Sequence, residues 1–323
     1  MIWLIGCDEA GYGPPLGPFT QASVALLLPE SNRGIEETWL AYPDLFKKRK
    51  GAAKARPGEL PLIVDDSKVM TQLAAGMGHL GILWPLLFGY QTRPESVFRD
   101  FLDWAHLPDQ TTFCDDPTLN ESLTLHWDLP ATVLADTETA FRKNGLLDRR
   151  AKVSMVSPSF FNQMIDRYQN KSAVLEKGWQ NHIRWWIKEL PGDEPLLILS
   201  DRLGGKKTYA GIFQEALESE GLVQVIREEE NQSTYKCLGN KREIMLIVRP
   251  KADSKFLPVA AASMLAKHLR ETTMEMVNNF WAAKVPNLKP TAGYPEDGKR
   301  FFEDIHSAML QAGIKPEQVW RKR

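Results

Sequence analysis

Cysteine is scarce. Only Cys7, Cys114 and Cys237 occur among 323 residues, and no two form a C-x-x-C pair. An odd number of distant thiols argues against a disulfide framework or a thiolate zinc site and points to a reducing compartment, the cytoplasm. Histidine is limited to 6 residues, with no H-E-x-x-H or comparable spacing, so metal ligation by imidazole is not expected. No run approaches the roughly 20 apolar residues of a membrane span, and no basic flank precedes the short apolar start. We therefore expect a soluble, unprocessed chain with no membrane partner. Net charge is also lacking, because 40 Lys and Arg oppose 41 Asp and Glu. Any contact with nucleic acid must then come from local clusters. There is no internal repeat and no low-complexity tract. What is present is a hydrophobic fraction of 43%, in a chain long enough for one large or two ordinary domains.

Segments Ile2 to Cys7 and Thr20 to Leu28 are apolar and flank a loop rich in glycine and proline, so they predict two buried strands in a hairpin. A basic stretch follows, with Lys47, Lys48, Arg49, Lys50, Lys54 and Arg56. It reads equally as a solvated loop or as a loop that tracks phosphates. From about Thr71 to Leu190 the apolar spacing is mostly helical, and Trp84, Trp179, Trp185 and Trp186 read as core packing. The last third alternates strands ("PLLILS", "LVQVIR", "EIMLIV") with helices, including a long one over roughly Leu257 to Ala283. Such alternation predicts an α/β domain with a layered sheet.

Four acids stand at the ends of these elements. Asp8 and Glu9 close the first apolar run, and a regular strand would point them to opposite faces, so the backbone is expected to bend there. Taken alone they also fit a solvated surface turn. Asp201 follows "LLIL" at the carboxyl end of a strand, where α/β sheets bind ligands. Asp253 precedes the long helix and by itself could be a helix cap. If the sheet gathers all four, their charges repel and raise their pKa values unless cations neutralise them. Oxygen-only ligation favours Mg²⁺ or Mn²⁺, and a pair of such ions suits in-line attack of water on a phosphodiester.

The stretches "GCDEAGYGPPLGP", "VDDSKVM", "LILSD", "KADSKFLPVAAASMLAKHLRE" and "AGYPED" occur in this order, and together they resemble the motifs of the type 2 ribonuclease H family. The resemblance implies a ribonuclease H-like fold with a central mixed five-stranded sheet flanked by helices. It also implies hydrolysis of the RNA strand of RNA/DNA hybrids, or cutting 5′ of ribonucleotides embedded in DNA, leaving a 5′ phosphate and a 3′ hydroxyl. Asp8, Glu9, Asp201 and Asp253 correspond to the family's ligands for two metal ions. Lys68 corresponds to a lysine near substrate phosphates, and Tyr294 to a tyrosine that stacks on a sugar beside the RNA-DNA junction. Gly11, Tyr12 and Gly13 stand where the family reads G-R-G, a triplet that contacts the ribose 2′-hydroxyl and a nearby phosphate.

Tyr12 thus removes a positive charge from the substrate-reading triplet. The second departure is length. Residues 1–70 and 191–323 are expected to form the catalytic domain, and residues 71–190 an internal, mostly helical insertion. A monomer is expected. Two alternatives stand beside the ribonuclease reading: a non-catalytic relative that binds nucleic acid, and a metal nuclease with a different nucleic-acid substrate.

Overall fold

The computed structural model describes residues 1–30, 38–49, 56–73, 76–88, 131–146, 148–239 and 242–322. Lys50 and Lys54 of the basic stretch, Cys114, and residues 89–130 of the expected insertion lie outside these.

The strands are β1 (Ile2–Ala10), β2 (Phe19–Leu28), β3 (Phe46–Lys47), β4 (Leu62–Ile63), β5 (Asp148–Val156), β6 (Leu196–Ser200), β7 (Gly221–Glu229), β8 (Gln232–Gly239) and β9 (Ile244–Val248). The main sheet has the order β5-β2-β1-β6-β9-β8-β7. β1, β6 and β9 are parallel, β2 is antiparallel to β1, and β5 is antiparallel to β2. These five are the mixed sheet that was expected. The β7–β8 hairpin then extends it beyond β9.

The helices are α1 (Ser67–Met70), α2 (Gly76–Gly81), α3 (Leu83–Phe88), α4 (Ala131–Lys143), α5 (Pro158–Tyr168), α6 (Ser172–Glu189), α7 (Ala210–Ala216), α8 (Leu257–Ala282) and α9 (Pro295–Gln311). Alternation along β1 sorts the core into two layers. Ile2 and Leu4 pack with Ala22, Val24 and Leu26 toward α8, while Trp3, Ile5 and Cys7 pack toward α5, α6 and α7. The small residues Ala260, Ala261 and Ala262 of α8 are buried, and Gly6 has the backbone of Pro258 and Val259 directly over it. A helix can come that close only to a strand position without a side chain. No helix among the described residues is long and apolar enough to cross a membrane.

The span 71–190 is not wholly helical. β5 pairs with β2 from Phe19↔Val156 to Leu27↔Asp148, and α6 covers the sheet beside it, so these elements pack with the main sheet. The strand escaped prediction because only Ala151, Val153 and Met155 show apolar alternation. Between them, Lys152 and Ser154 occupy the other face, which α6 also buries. There His182 lies between Ser23 Oγ at 2.8 Å and Ser154 Oγ at 2.7 Å, and Trp186 Nε1 donates to Ser23 Oγ at 2.7 Å. Burial, reinforced by the Lys152 charge, holds His182 well below its ordinary pKa.

A stability test follows with a defined sign. The unfolded chain protonates this imidazole near pH 6.5 while the folded chain keeps it neutral, so unfolding is favoured as pH falls below that value. His182 should therefore cost about 1.4 kcal/mol of stability per pH unit below pH 6.5. Urea melts of wild type and His182→Gln at pH 7 and 5.5 check this, and an identical pH slope in the variant would refute it.

Candidate active site at the carboxyl edge of the sheet

The carboxyl ends of the parallel strands β1, β6 and β9 share one edge, and the acids gather there. β1 does not bend to bring Asp8 and Glu9 to one face. Its register with β2 is unbroken through Asp8↔Ala22, Glu9↔Gln21 and Ala10↔Thr20. The expected bend is therefore corrected: the two side chains leave opposite faces of a regular strand. Asp8 falls on the α8 side, where Ser263 hydrogen-bonds it. Glu9 falls on the other side, where Asp201 is its strongest charged neighbour.

Burial pushes Asp8 well above the usual carboxylate range, and Glu9 and Asp253 push it further. Burial and then Asp201 raise Glu9 to about 7, against a lowering pull from Lys68. Asp253 is raised to about 6 by burial, then by Asp66 and Asp201, with Lys68 again opposing. Asp201 is raised by burial even though Arg202 N donates to its Oδ1 at 2.6 Å and Lys251 N at 3.2 Å. The structure therefore places all four predicted acids within electrostatic reach along one edge. It does not close them into a cage, since among the described residues no three His, Cys, Asp or Glu side chains form a group that could hold a metal ion as placed.

The donor set nevertheless suits a hard divalent cation. It is all oxygen, every member has a raised pKa, and the cation that most relieves Glu9 and Asp253 is one exposed lysine, Lys68. Local folding explains each position. Lys251 adopts the left-handed conformation at φ 57°, which turns the chain sharply after β9 into the short 3-10 helix Ala252–Ser254 and presents Asp253. A side chain in that conformation is strained, as functional sites often are. Lys68 sits on α1, whose cap is Asp66 Oδ1 accepting from Lys68 N at 2.8 Å. A hydrogen bond of 3.1 Å between the Oγ atoms of buried Ser67 and Ser263 docks this turn onto α8.

The remaining predicted substrate residues fall in two places, the loop that follows β1 and the N-terminus of α9. Gly11 has φ 79°, and Gly13 has open space where a Cβ would lie. Tyr12 is partly buried, packs edge-on against Phe19, and carries Lys171 Nζ 4.9 Å from its ring centroid. Tyr294 is 55% exposed at the cap of α9. It borders a cleft of about 590 Å³ shared with Thr71, Gly76, Met77, Gly78, Lys267, Glu271 and Ala292.

Sequence reasoning missed Asp66, a fifth acid that raises Asp253, and Ser263, which bonds Asp8. Asp66 had a signal, the doubled acid in "VDDSK", but nothing there indicated which way it faces. Glu228 accepts a hydrogen bond from Tyr235 Oη.

Residues 212–317 match the family model of ribonuclease HII. That segment contains Asp253 and Tyr294 and stops short of Asp8, Glu9, Lys68 and Asp201. A search of curated proteins gave no match. Solved structures that resemble the chain include the PCNA:RNase HII complex from Archaeoglobus fulgidus, at 16% identity and TM-score 0.41, covering 100% of this chain and 95% of that one. Ribonuclease H2 from Pyrococcus horikoshii OT3 gives 17% identity and TM-score 0.43, covering 98% and 92%. RNase H3 from Aquifex aeolicus gives 13% identity and TM-score 0.36, covering 98% and 71%.

Proposed function

We propose that this chain, a divergent ribonuclease HII-like protein with a ribonuclease H-type nuclease activity, hydrolyses the RNA strand of RNA/DNA hybrids or cuts 5′ of ribonucleotides embedded in DNA. The observation that carries the proposal is the row of Asp8, Glu9, Asp201 and Asp253 along the carboxyl edge of β1, β6 and β9, all with raised pKa values. Buried carboxylates with raised pKa values, three of them pushed up further by neighbouring acids, would hold Mg²⁺ or Mn²⁺, which when bound supplies an activated water and stabilises the leaving 3′ oxygen.

The chain's own residues do the rest. Lys68 offsets negative charge between Glu9 and Asp253 and faces incoming phosphate from an exposed position. The Gly13 backbone, with open space where a Cβ would lie, has no side chain to keep it from a ribose 2′-hydroxyl, the group that separates RNA from DNA. Tyr12 and Tyr294 would offer ring faces to sugars or bases of the substrate. We take the acting species to be a monomer in the cytoplasm.

The test is cleavage, with Mg²⁺ or Mn²⁺, of a continuous RNA/DNA hybrid beside a DNA duplex containing one ribonucleotide, giving 5′ phosphate and 3′ hydroxyl ends. Cutting of neither substrate, with retained binding, would favour the non-catalytic alternative. Cutting of single-stranded or all-DNA substrates in preference to both would favour the different nuclease. Tyr294→Ala should lower kcat/KM on the substrate that is cut by on the order of tenfold, the range of one lost stacking contact. Its exposure means that the melting temperature should not move. An unchanged kcat/KM would remove Tyr294 from the substrate site.

A further inference from the structure

Two guanidinium groups are buried behind the Gly11 to Pro18 loop. Arg321 is 1% exposed and Arg270, on α8, is 3% exposed. Arg321 Nη2 donates to Gly11 O at 2.5 Å and also to Pro14 O, and its backbone N donates to Pro15 O at 2.7 Å. Trp320 bridges Leu16 in the same short ladder. The tail is itself anchored to α5, because Asn162 Nδ2 donates to Trp320 O at 2.9 Å and Lys322 N donates to Asn162 Oδ1 at 2.7 Å.

Arg270 Nη2 donates to Leu16 O at 2.9 Å and to Ala292 O at 3.3 Å. It therefore joins the loop of Gly11-Tyr12-Gly13 to the turn that carries Tyr294. Gly11, Gly17 and Gly293, all left-handed, make room for it: a Cβ at any of them would come within 2.5 to 3.0 Å of the Arg270 side chain.

These arginines are poor candidates for simple stabilisers. Among the described residues no carboxylate hydrogen-bonds either one, and Arg270 Nη1 and Arg321 Nε and Nη1 have no partner. Arg321 lies 4.7 Å from the Phe161 ring centroid and Glu271 partly offsets the Arg270 charge, but burying cations with N–H groups left unbonded still costs stability that an apolar side chain of similar volume would not. A planar fork of donors does, however, fix several carbonyls at set positions, which an apolar residue cannot do.

We propose that Arg321 is a positioning residue that, with Arg270, fixes the Gly11-Tyr12-Gly13 backbone relative to Tyr294 for reading the ribonucleotide. The proposal rests on the ribonuclease reading for its substrate and on the loop geometry for the brace. The two are separated by measuring hydrogen exchange over residues 11–18 and 292–294, together with kinetics on the single-ribonucleotide duplex, for wild type, Arg321→Met and Arg321→Lys.

Faster exchange confined to these segments, with KM raised about tenfold and kcat nearly unchanged, is the expected result, the pattern of lost ground-state binding. Arg321→Lys, which keeps the charge but not the fork, should fall between. Unchanged exchange over 11–18 overturns the proposal. Faster exchange with unaltered KM and kcat overturns it too, leaving a structural contact only. If wild type cuts no substrate, the ribonuclease reading falls, and local exchange still decides the brace. Should Arg321→Met fail to fold, Arg321→Lys is judged by the same exchange criterion.

Discussion

Asp8→Asn should abolish cleavage, by on the order of 10³-fold or more in kcat, and at the same time raise the melting temperature of the metal-free protein. On the proposed reading, the first effect follows from removing a charged oxygen that would ligate the metal, in a site whose chemistry would depend on neutralising phosphate and positioning water. The second follows from the electrostatics. Asp8 is raised well above its ordinary pKa by burial, by Glu9 and by Asp253, so its charge is held at a cost to the fold. Asparagine keeps an oxygen that can accept from Ser263 and from Glu9 N, which donates to Asp8 Oδ1 at 2.9 Å, and removes that charge. A gain of about 1 kcal/mol is the usual scale for relieving such a site. Opposite movement of activity and stability is what a functional acid predicts. If Asp8→Asn lost activity and stability together, the loss would be structural and the assignment of Asp8 would fail. Mg²⁺ or Mn²⁺ should raise the melting temperature of wild type, and raise it less in the variant, by the linkage of binding to folding.

How far the sequence reveals this site depends on what each residue needs. Asp8, Asp201 and Asp253 end or begin elements whose apolar runs are plain, so their places at element ends are legible without coordinates, whereas their meeting on one edge is not. That Asp8 and Glu9 diverge onto opposite faces is not legible either, because the Gly/Pro loop after them reads as a place to bend, whereas pairing with β2 continues to Ala10↔Thr20. β5 is obscured by the charge of Lys152, which the sheet buries at 0% exposure under the ring of Trp185, with the nitrogen 4.8 Å from the ring centroid. Such burial lowers the Lys152 pKa to about 8 and contradicts the ordinary rule that lysine is exposed. The arginine brace is the least legible feature. Arg321 meets Gly11 across 310 positions and Arg270 meets Leu16 across 254. No local periodicity encodes a partner at that separation.

The largest loss of stability is expected from a residue with no chemistry, Gly6→Ala. A Cβ at Gly6 would lie 2.1 Å from Pro258 C, 2.2 Å from Val259 N and 2.5 Å from Pro258 O. All three are backbone atoms in the first turn of α8, so no rotamer change can relieve the clash, and the helix must move off β1. Inserting one methyl into a packed core costs about 1–3 kcal/mol when side chains can adjust, so here about 3 kcal/mol or more is expected. At about 2.1 cal/mol/K of unfolding entropy per residue, that corresponds in a chain of 323 residues to a fall of roughly 4–5 °C in Tm. The displacement also reaches the site, because β1 carries Asp8 and α8 carries Ser263 and follows Asp253 directly. A shift of about 1 Å at catalytic groups can cost on the order of 10²-fold, so kcat should drop even in the fraction that remains folded. Gly13→Ala is the matched control, since nothing lies within 4 Å of its added Cβ, and its stability should stay within about 0.5 kcal/mol of wild type. Urea melts of the two variants decide the matter: equal stability would mean that α8 does not pack on β1 through Gly6, and the close approach that brings Ser263 to Asp8 would have to be abandoned.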